Sequence, residues 1–189
     1  MFSYNELKPG NYIIVDKEPY EVLEFAFLRM QQRKPVSKTK LKNLISGKIL
    51  ERTFHQSDII EEAELEKSPS RFIYESRGDY WFDEPRNLKN RFSFKKEDLG
   101  EIAIFLKPNI EVTALKFGEK IINIQLPVKI DYKIIEAPPS IKGDTAQGGT
   151  KLATIEGGAK IAVPLFINEG DIIKVNTLTG QYVERVEKG

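Results

Sequence analysis

Cationic side chains crowd one stretch of this chain: Arg29, Arg33, Lys34, Lys38, Lys40, Lys42, Lys48 and Arg52 face a single carboxylate, Glu51, between residues 29 and 52. Ammonium and guanidinium groups pair with phosphate, and phosphate contacts dominate nucleic-acid affinity in a salt-dependent way. Strand spacing gives Lys38, Lys40 and Lys42 a common face, from which three charges can track an RNA or DNA backbone. A solvated strand edge, where lysines discourage edge-to-edge pairing, has the same pattern, so charge alone leaves both readings open. Just upstream, Leu28-Arg29-Met30-Gln31-Gln32-Arg33-Lys34-Pro35 reads as a polar, basic loop between two strands. Glutamine amides and arginine guanidinium groups offer donors suited to phosphate, ribose 2′-hydroxyls and base edges.

Other stretches carry weaker chemistry. The glycine spacing of Gly143-Asp144-Thr145-Ala146-Gln147-Gly148-Gly149-Thr150-Lys151 fits a phosphate-binding P-loop, but the lysine position holds Gly149. Without that lysine, nucleotide hydrolysis loses its support, and the stretch reads as a loop whose backbone can approach a ligand closely. His55 is the only histidine and has no Gly-x-Ser-x-Gly elbow to partner. It is expected at a strand end. Glu61, Glu62, Glu64 and Glu66 read as a solvated acidic stretch at a domain boundary rather than a metal site. Trp81, between Tyr80 and Phe82, either stacks on bases or packs in a core, and core packing is the expectation.

These residues need a frame. The chain has 189 residues, with 29 Lys and Arg against 28 Asp and Glu, so it is neither a grossly basic nucleic-acid binder nor an acidic tail. A 40% hydrophobic and 10% aromatic content supports compact cores. The absence of cysteine excludes disulfides, thiolate zinc sites, iron–sulfur clusters and a cysteine nucleophile. No metal or cofactor is expected. The first ten residues lack a basic segment followed by an apolar one, and no apolar run is long enough for a membrane span, so a cytoplasmic protein is expected.

The dominant apolar period is two, which predicts an all-β protein. Val128-Lys129-Ile130-Asp131-Tyr132-Lys133-Ile134 alternates throughout. Three hairpins are predicted: Asn11–Val15 with Tyr20–Phe25 across an Asp16–Pro19 turn, Phe72–Tyr74 with Tyr80–Phe82 around Gly78, and Ile110–Phe117 with Ile121–Leu126 across Gly118–Lys120. One short helix is predicted from about Lys95 to Phe105. Strands interrupted once by a helix match a five-stranded barrel of the OB type at 64–128. Three consecutive small β-barrels are expected, over 1–63, 64–128 and 129–189.

Two motifs then carry a resemblance. Thr39-Lys40-Leu41-Lys42-Asn43-Leu44 with Gly47 and Glu51-Arg52-Thr53-Phe54 resembles the first domain of the bacterial translation elongation factor P family. Gly143-Asp144-Thr145-Ala146, the run Gly158–Asp171, Val175-Asn176-Thr177 and Tyr182 resemble its C-terminal domain. The resemblance implies an L-shaped molecule, an SH3/KOW-like barrel followed by two OB-fold domains. It also implies a monomeric, non-enzymatic factor that contacts both ribosomal subunits and peptidyl-tRNA, between the peptidyl and exit sites, and relieves polyproline stalls.

By the same resemblance, Arg29, Met30, Gln31, Gln32, Arg33 and Lys34 form the tip that reaches the tRNA acceptor end. Gly143, Asp144, Thr145, Ala146, Gly148, Gly149, Tyr182 and Arg185 face exit-site messenger RNA and the small subunit. The tip departs from the family, where Pro-Gly-Lys-Gly or a tip arginine is common and often enzymatically extended. Here Met30 and Gln31 replace the Pro and Gly, and Gln32 occupies the tip. A glutamine amide is not a nucleophilic amine, so either the loop works unmodified or Arg33 has taken the role. A paralogue serving other stalling sequences and a non-ribosomal RNA-binding module remain alternatives, whereas an enzyme would need a catalytic group the sequence does not display.

Overall fold

The computed structural model describes residues 1–29, 34–85, 87–139 and 149–189. The fold is all-β, and the described residues form three five-stranded sheets. The first comprises β1 (Tyr12–Val15), β2 (Glu18–Leu28), β3 (Val36–Asn43), β4 (Ile49–His55) and the short β5 (Glu61–Glu62), in the order β4-β3-β2-β1-β5. Alternation drives it: along β3, Ser37, Thr39, Leu41 and Asn43 turn inward and the lysines between them turn out. Leu7, Ile13, Val15, Tyr20, Val22, Leu41, Phe54 and Ile60 form its core. The β1–β2 turn is tighter than the sequence suggests. Asp16 and Lys17 adopt φ of 51° and 68°, values suited to a two-residue hairpin turn, so Pro19 joins β2 opposite Ile14 instead of lying in the turn.

The second sheet comprises β6 (Leu65–Ser76), β7 (Asp79–Glu84), β8 (Asn87–Lys95), β9 (Glu111–Phe117) and β10 (Lys120–Gln125), in the order β10-β9-β6-β7-β8. Arg77 and Gly78, both at positive φ, close the β6–β7 hairpin expected around Gly78. The helix expected over 95–105 is only one α-turn, α1 (Lys96–Leu99), followed by a 3-10 segment from Gly100 to Phe105. Gly100 explains the break: at φ 56° and ψ −130° it leaves the α region.

The third sheet comprises β11 (Lys129–Glu136), β12 (Thr150–Ile155), β13 (Lys160–Pro164), β14 (Ile172–Asn176) and β15 (Gln181–Glu187), in the order β13-β12-β11-β14-β15. Ile130, Tyr132 and Ile134 of β11 are buried while Lys129, Asp131 and Lys133 face outward, as the alternation predicts. The edge strand β13 comes back against β15, which curls the sheet toward a barrel.

The described residues form two compact units, 1–69 with 113–124, and 70–112 with 125–189. Within the second, the 3-10 segment is fastened to the third sheet. The buried Tyr132 hydroxyl donates to the Phe105 carbonyl at 2.6 Å. Lys107 Nζ donates to Glu156 Oε1 at 2.8 Å and to the Asp131 carbonyl at 2.7 Å, and lies 5.2 Å from the Tyr132 ring centroid. A Cβ on Gly157 would stand 3.2 Å from the carbonyl oxygens of both Ile104 and Leu106, so backbone meets backbone there.

Candidate nucleic-acid interface

The basic loop hangs from the β2–β3 hairpin, whose pairing runs from Tyr20 opposite Asn43 to Leu28 opposite Val36. Arg29 and Lys34 stand exposed at the two stems of that loop. Met30, Gln31, Gln32 and Arg33, named above for the tip, lie outside the described residues. The hairpin is well anchored below: Thr39 Oγ1 donates to the Arg52 carbonyl at 2.8 Å, and Asn43 Oδ1 accepts the amides of Ile45 and Ser46, both at 2.8 Å. Asn43 Nδ2 donates to Glu18 Oε2 at 2.6 Å. Thr39 and Asn43 of the first motif therefore hold the hairpin together, and the lysines between them are presented by it.

Lys38, Lys40 and Lys42 do share the outward face, but their surroundings differ. Lys40 Nζ sits 3.1 Å from Glu24 Oε1, and Glu51 lies opposite on β4. Lys42 pairs across the ladder with Glu21. Lys38 faces Ala26 and Thr53, with no carboxylate across either strand. Positive character therefore rises toward the loop, through Lys38 to Lys34 and Arg29. Sequence reasoning missed this gradient because Glu21 and Glu24 come from β2, outside the basic stretch. An exposed pair such as Lys40–Glu24 contributes at most about 1 kcal/mol, so a phosphate can compete for the lysine.

At the other end of the chain, Gly143, Asp144, Thr145, Ala146 and Gly148 also lie outside the described residues. Gly149 is described and half-buried beside the start of β12, and Lys151 Nζ donates to the Pro138 carbonyl at 2.8 Å between the two arms of the β11–β12 connection. Tyr182 is half-buried on β15, opposite Val175. Arg185 lies on the same strand with its guanidinium 5.1 Å from the Phe166 ring centroid and 3.6 Å from Asp171 Oδ2.

Asp171 is a residue whose role sequence reasoning missed, although it ends one of the motifs. Burial raises its pKa, but the amides of Asn168 and Gly189, both at 2.9 Å, and the charge of Arg185 outweigh that effect and hold it below its ordinary value. Arg185 thus answers a buried carboxylate of its own fold as well as facing solvent.

His55 ends β4, exposed, and its amide donates to Asp58 Oδ2 at 2.8 Å. Glu61, Glu62, Glu64 and Glu66 line an open cleft of about 940 Å³ with Tyr12 and Phe117. Among the described residues no group of three or more acidic or histidine side chains converges as a metal site. Trp81 departs from its expected place in the core. Phe82 is fully buried among Phe72, Phe92 and Phe94, and period-two geometry turns its neighbour Trp81 to the opposite face, half-buried. Among the described residues no helix is long and apolar enough to cross a membrane.

Comparison with known proteins agrees with this architecture. Residues 3–60 match the elongation factor P KOW-like domain, and residues 130–185 match the elongation factor P C-terminal domain. The elongation factor P of Moorella thermoacetica is 37% identical over 185 residues, covering 98% of this chain and 100% of its own. Those of Natranaerobius thermophilus and Hydrogenobaculum sp. are 38% and 39% identical, covering 99% and 97% of this chain and 99% and 94% of their own. The class is that of all-β translation factors built from small barrels in series. Within it, the chain belongs to the elongation factor P family.

Proposed function

We propose that this protein binds the ribosome between the peptidyl and exit sites and promotes peptide-bond formation at polyproline stalls. The observation that carries the reading is family membership across almost the whole chain, 98% of it against a full-length relative, with the basic loop mounted on the family's KOW-like hairpin. Proline is a conformationally restricted partner in peptide-bond formation. A factor that holds the peptidyl-tRNA acceptor end in productive geometry lowers the entropic part of a barrier the ribosome itself works on.

In this reading the tip residues 29–34 reach the acceptor end, with Lys38, Lys40 and Lys42 along the RNA backbone. The loop around 143–149, with Tyr182 and Arg185, faces exit-site messenger RNA and the small subunit. The protein needs no cofactor, metal or catalytic group of its own, and acts as a monomer in the cytoplasm. Its three domains are 1–63, 64–128 and 129–189.

The test is translation of a polyproline reporter on purified ribosomes with and without the protein, its intact mass first matched to the unmodified sequence. Accelerated synthesis through three consecutive prolines, with no effect on a proline-free template, is expected. Ribosome binding without acceleration would overturn the self-sufficient Gln32 tip and favour modification of Arg29, Arg33 or Lys34. Acceleration on other stalling sequences alone would favour a paralogue's role.

A further inference from the structure

The outer face of the β6–β7–β8 sheet carries an aromatic pair that the core does not use. Phe72, Tyr80, Phe82, Phe92 and Phe94 pack together on one face. On the other, Trp81 and Tyr74 are direct cross-strand partners with ring centroids 6.4 Å apart and planes inclined by 28°. Tyr74 is 43% exposed. Opposite Trp81, itself half-buried, stands the short side chain of Ser93 on β8.

The charges around the pair are unequal. Two carboxylates share this face, and each is engaged: Asp79 Oδ1 with Lys95 Nζ at 2.7 Å, and the buried Asp83 with the Arg71 guanidinium in a two-bond fork at 3.1 and 2.7 Å. The nearby Glu75 carboxylate accepts the Gly78 amide at 2.8 Å. Arg91, two residues from Ser93, is exposed and stands across the ladder from Asp83, but makes no ion pair or hydrogen bond among the described residues, and neither does Lys89 on the same strand. Glu97 and Asp98 also act on Lys95, so the unpaired cationic charge is local to Arg91 and Lys89, beside the aromatic pair.

We propose that this face is a second RNA-binding site, in which an unpaired base stacks on the Trp81–Tyr74 pair while Arg91 holds its phosphate. Two strand residues span about 7 Å, which puts the guanidinium within reach of a phosphate belonging to a base stacked beside Ser93. Aromatic side chains with flanking cations are how single strands are held without base-specific hydrogen bonds, and the sheet face of an OB-type barrel is a usual place for them. The site belongs to the second unit and the tip loop to the first, and its existence does not depend on rescue of polyproline stalls.

Trp81 is the only tryptophan of the chain, so its fluorescence reports this face alone. The full-length protein is titrated at low salt with a ten-nucleotide oligoadenylate and, separately, with an abasic ribose-phosphate chain of equal length. Saturable quenching by the oligoadenylate, with little by the abasic chain, is expected. The apparent affinity should fall with salt by a log–log slope of about −0.7 per phosphate contacted.

Tyr74→Ala and Arg91→Gln should each weaken binding roughly ten-fold, Tyr74→Phe should retain it, and Lys48→Ala, on the first sheet's side of the chain, should leave it unchanged. Unfolding midpoints of the variants separate lost binding from lost structure. No quenching at millimolar RNA, equal quenching by the abasic chain, or indifference to both Tyr74→Ala and Arg91→Gln would overturn the site. A Trp81 response to ribosomal proteins but not to RNA would also overturn it, making the face a protein-docking surface.

Discussion

Lys107→Met should loosen the 3-10 segment from the third sheet, and the structure sets the size of the effect. The substitution keeps the aliphatic stem but removes three interactions: the ion pair with Glu156, the hydrogen bond to the Asp131 carbonyl and the cation over Tyr132. The side chains of Lys107 and Glu156 are 26% and 38% exposed, so solvent screening holds the ion pair to roughly 0.5–1 kcal/mol. The lost hydrogen bond adds about 1 kcal/mol. The cation–π contact adds about 0.5–1 kcal/mol. The sum is about 2–3 kcal/mol, which lowers the melting temperature by roughly 5–10 °C in a chain of this length.

Urea unfolding at neutral pH measures the change, and a double-mutant cycle with Glu156→Gln isolates the pair. Burial raises the Glu156 pKa, but the hydrogen bonds from Lys107 and the Lys133 amide, with both lysine charges, bring it below its ordinary value of 4.5. A carboxylate with a depressed folded-state pKa contributes stability that is fully present above 4.5 and is lost as pH falls through the lower folded value. The wild-type protein should therefore lose stability on acidification in that window more steeply than Lys107→Met. A destabilisation below about 0.5 kcal/mol, or strictly additive effects of the two substitutions, would refute this account of the clamp.

Other outcomes test other parts of the molecule. Ser37 is fully buried and its hydroxyl has no hydrogen-bond partner among the described residues, so Ser37→Ala should be neutral or stabilise by up to about 1 kcal/mol in urea unfolding. A fragment comprising 129–189, with its own core of Ile134, Ile155, Ile173 and Val175, should fold cooperatively in thermal melts but melt lower than the intact chain, because Tyr132 loses Phe105 and Glu156 loses Lys107. Arg33→Ala should slow synthesis on Pro-Pro-Pro templates roughly ten-fold or more, the loss of one charge-assisted hydrogen bond, whereas Lys48→Ala should change it little.

The frame was legible where a single physical rule governs a segment. Period-two alternation located β11 to within two residues at either end, because Ile130, Tyr132 and Ile134 have one face to bury and the charges between them have none. The turn at Gly78 was equally plain. Where two local preferences compete, the reading slipped: Pro19 suggested a longer turn, but Asp16 and Lys17 supply both positive φ values, and Gly100 cut a helical pattern that its neighbours would have continued.

Chemistry that depends on pairing between strands was the least visible. The lysines of β3 were found, but the carboxylates that temper Lys40 and Lys42 sit some twenty residues upstream and meet them only through the β2–β3 register. Trp81 was noticed as an aromatic residue, yet its assignment to the outer face needed the knowledge that Phe82, one residue on, takes the core. Asp171 belonged to a recognisable motif, but nothing in its sequence neighbours says that it answers Arg185 and Gly189.

The bare backbone contact at Gly157 has a mechanical consequence. Packed elements usually slide by small rotations of the side chains between them, and that cushion gives an interface its compliance. Between Gly157 and the carbonyls of Ile104 and Leu106 there is no cushion, since even one methyl group would be crowded at 3.2 Å. Two peptide backbones in direct contact have few alternative ways to fit, so the 3-10 segment and the barrel should move as one part. A push on either is then passed to the other with little slack, as between two gears already in mesh.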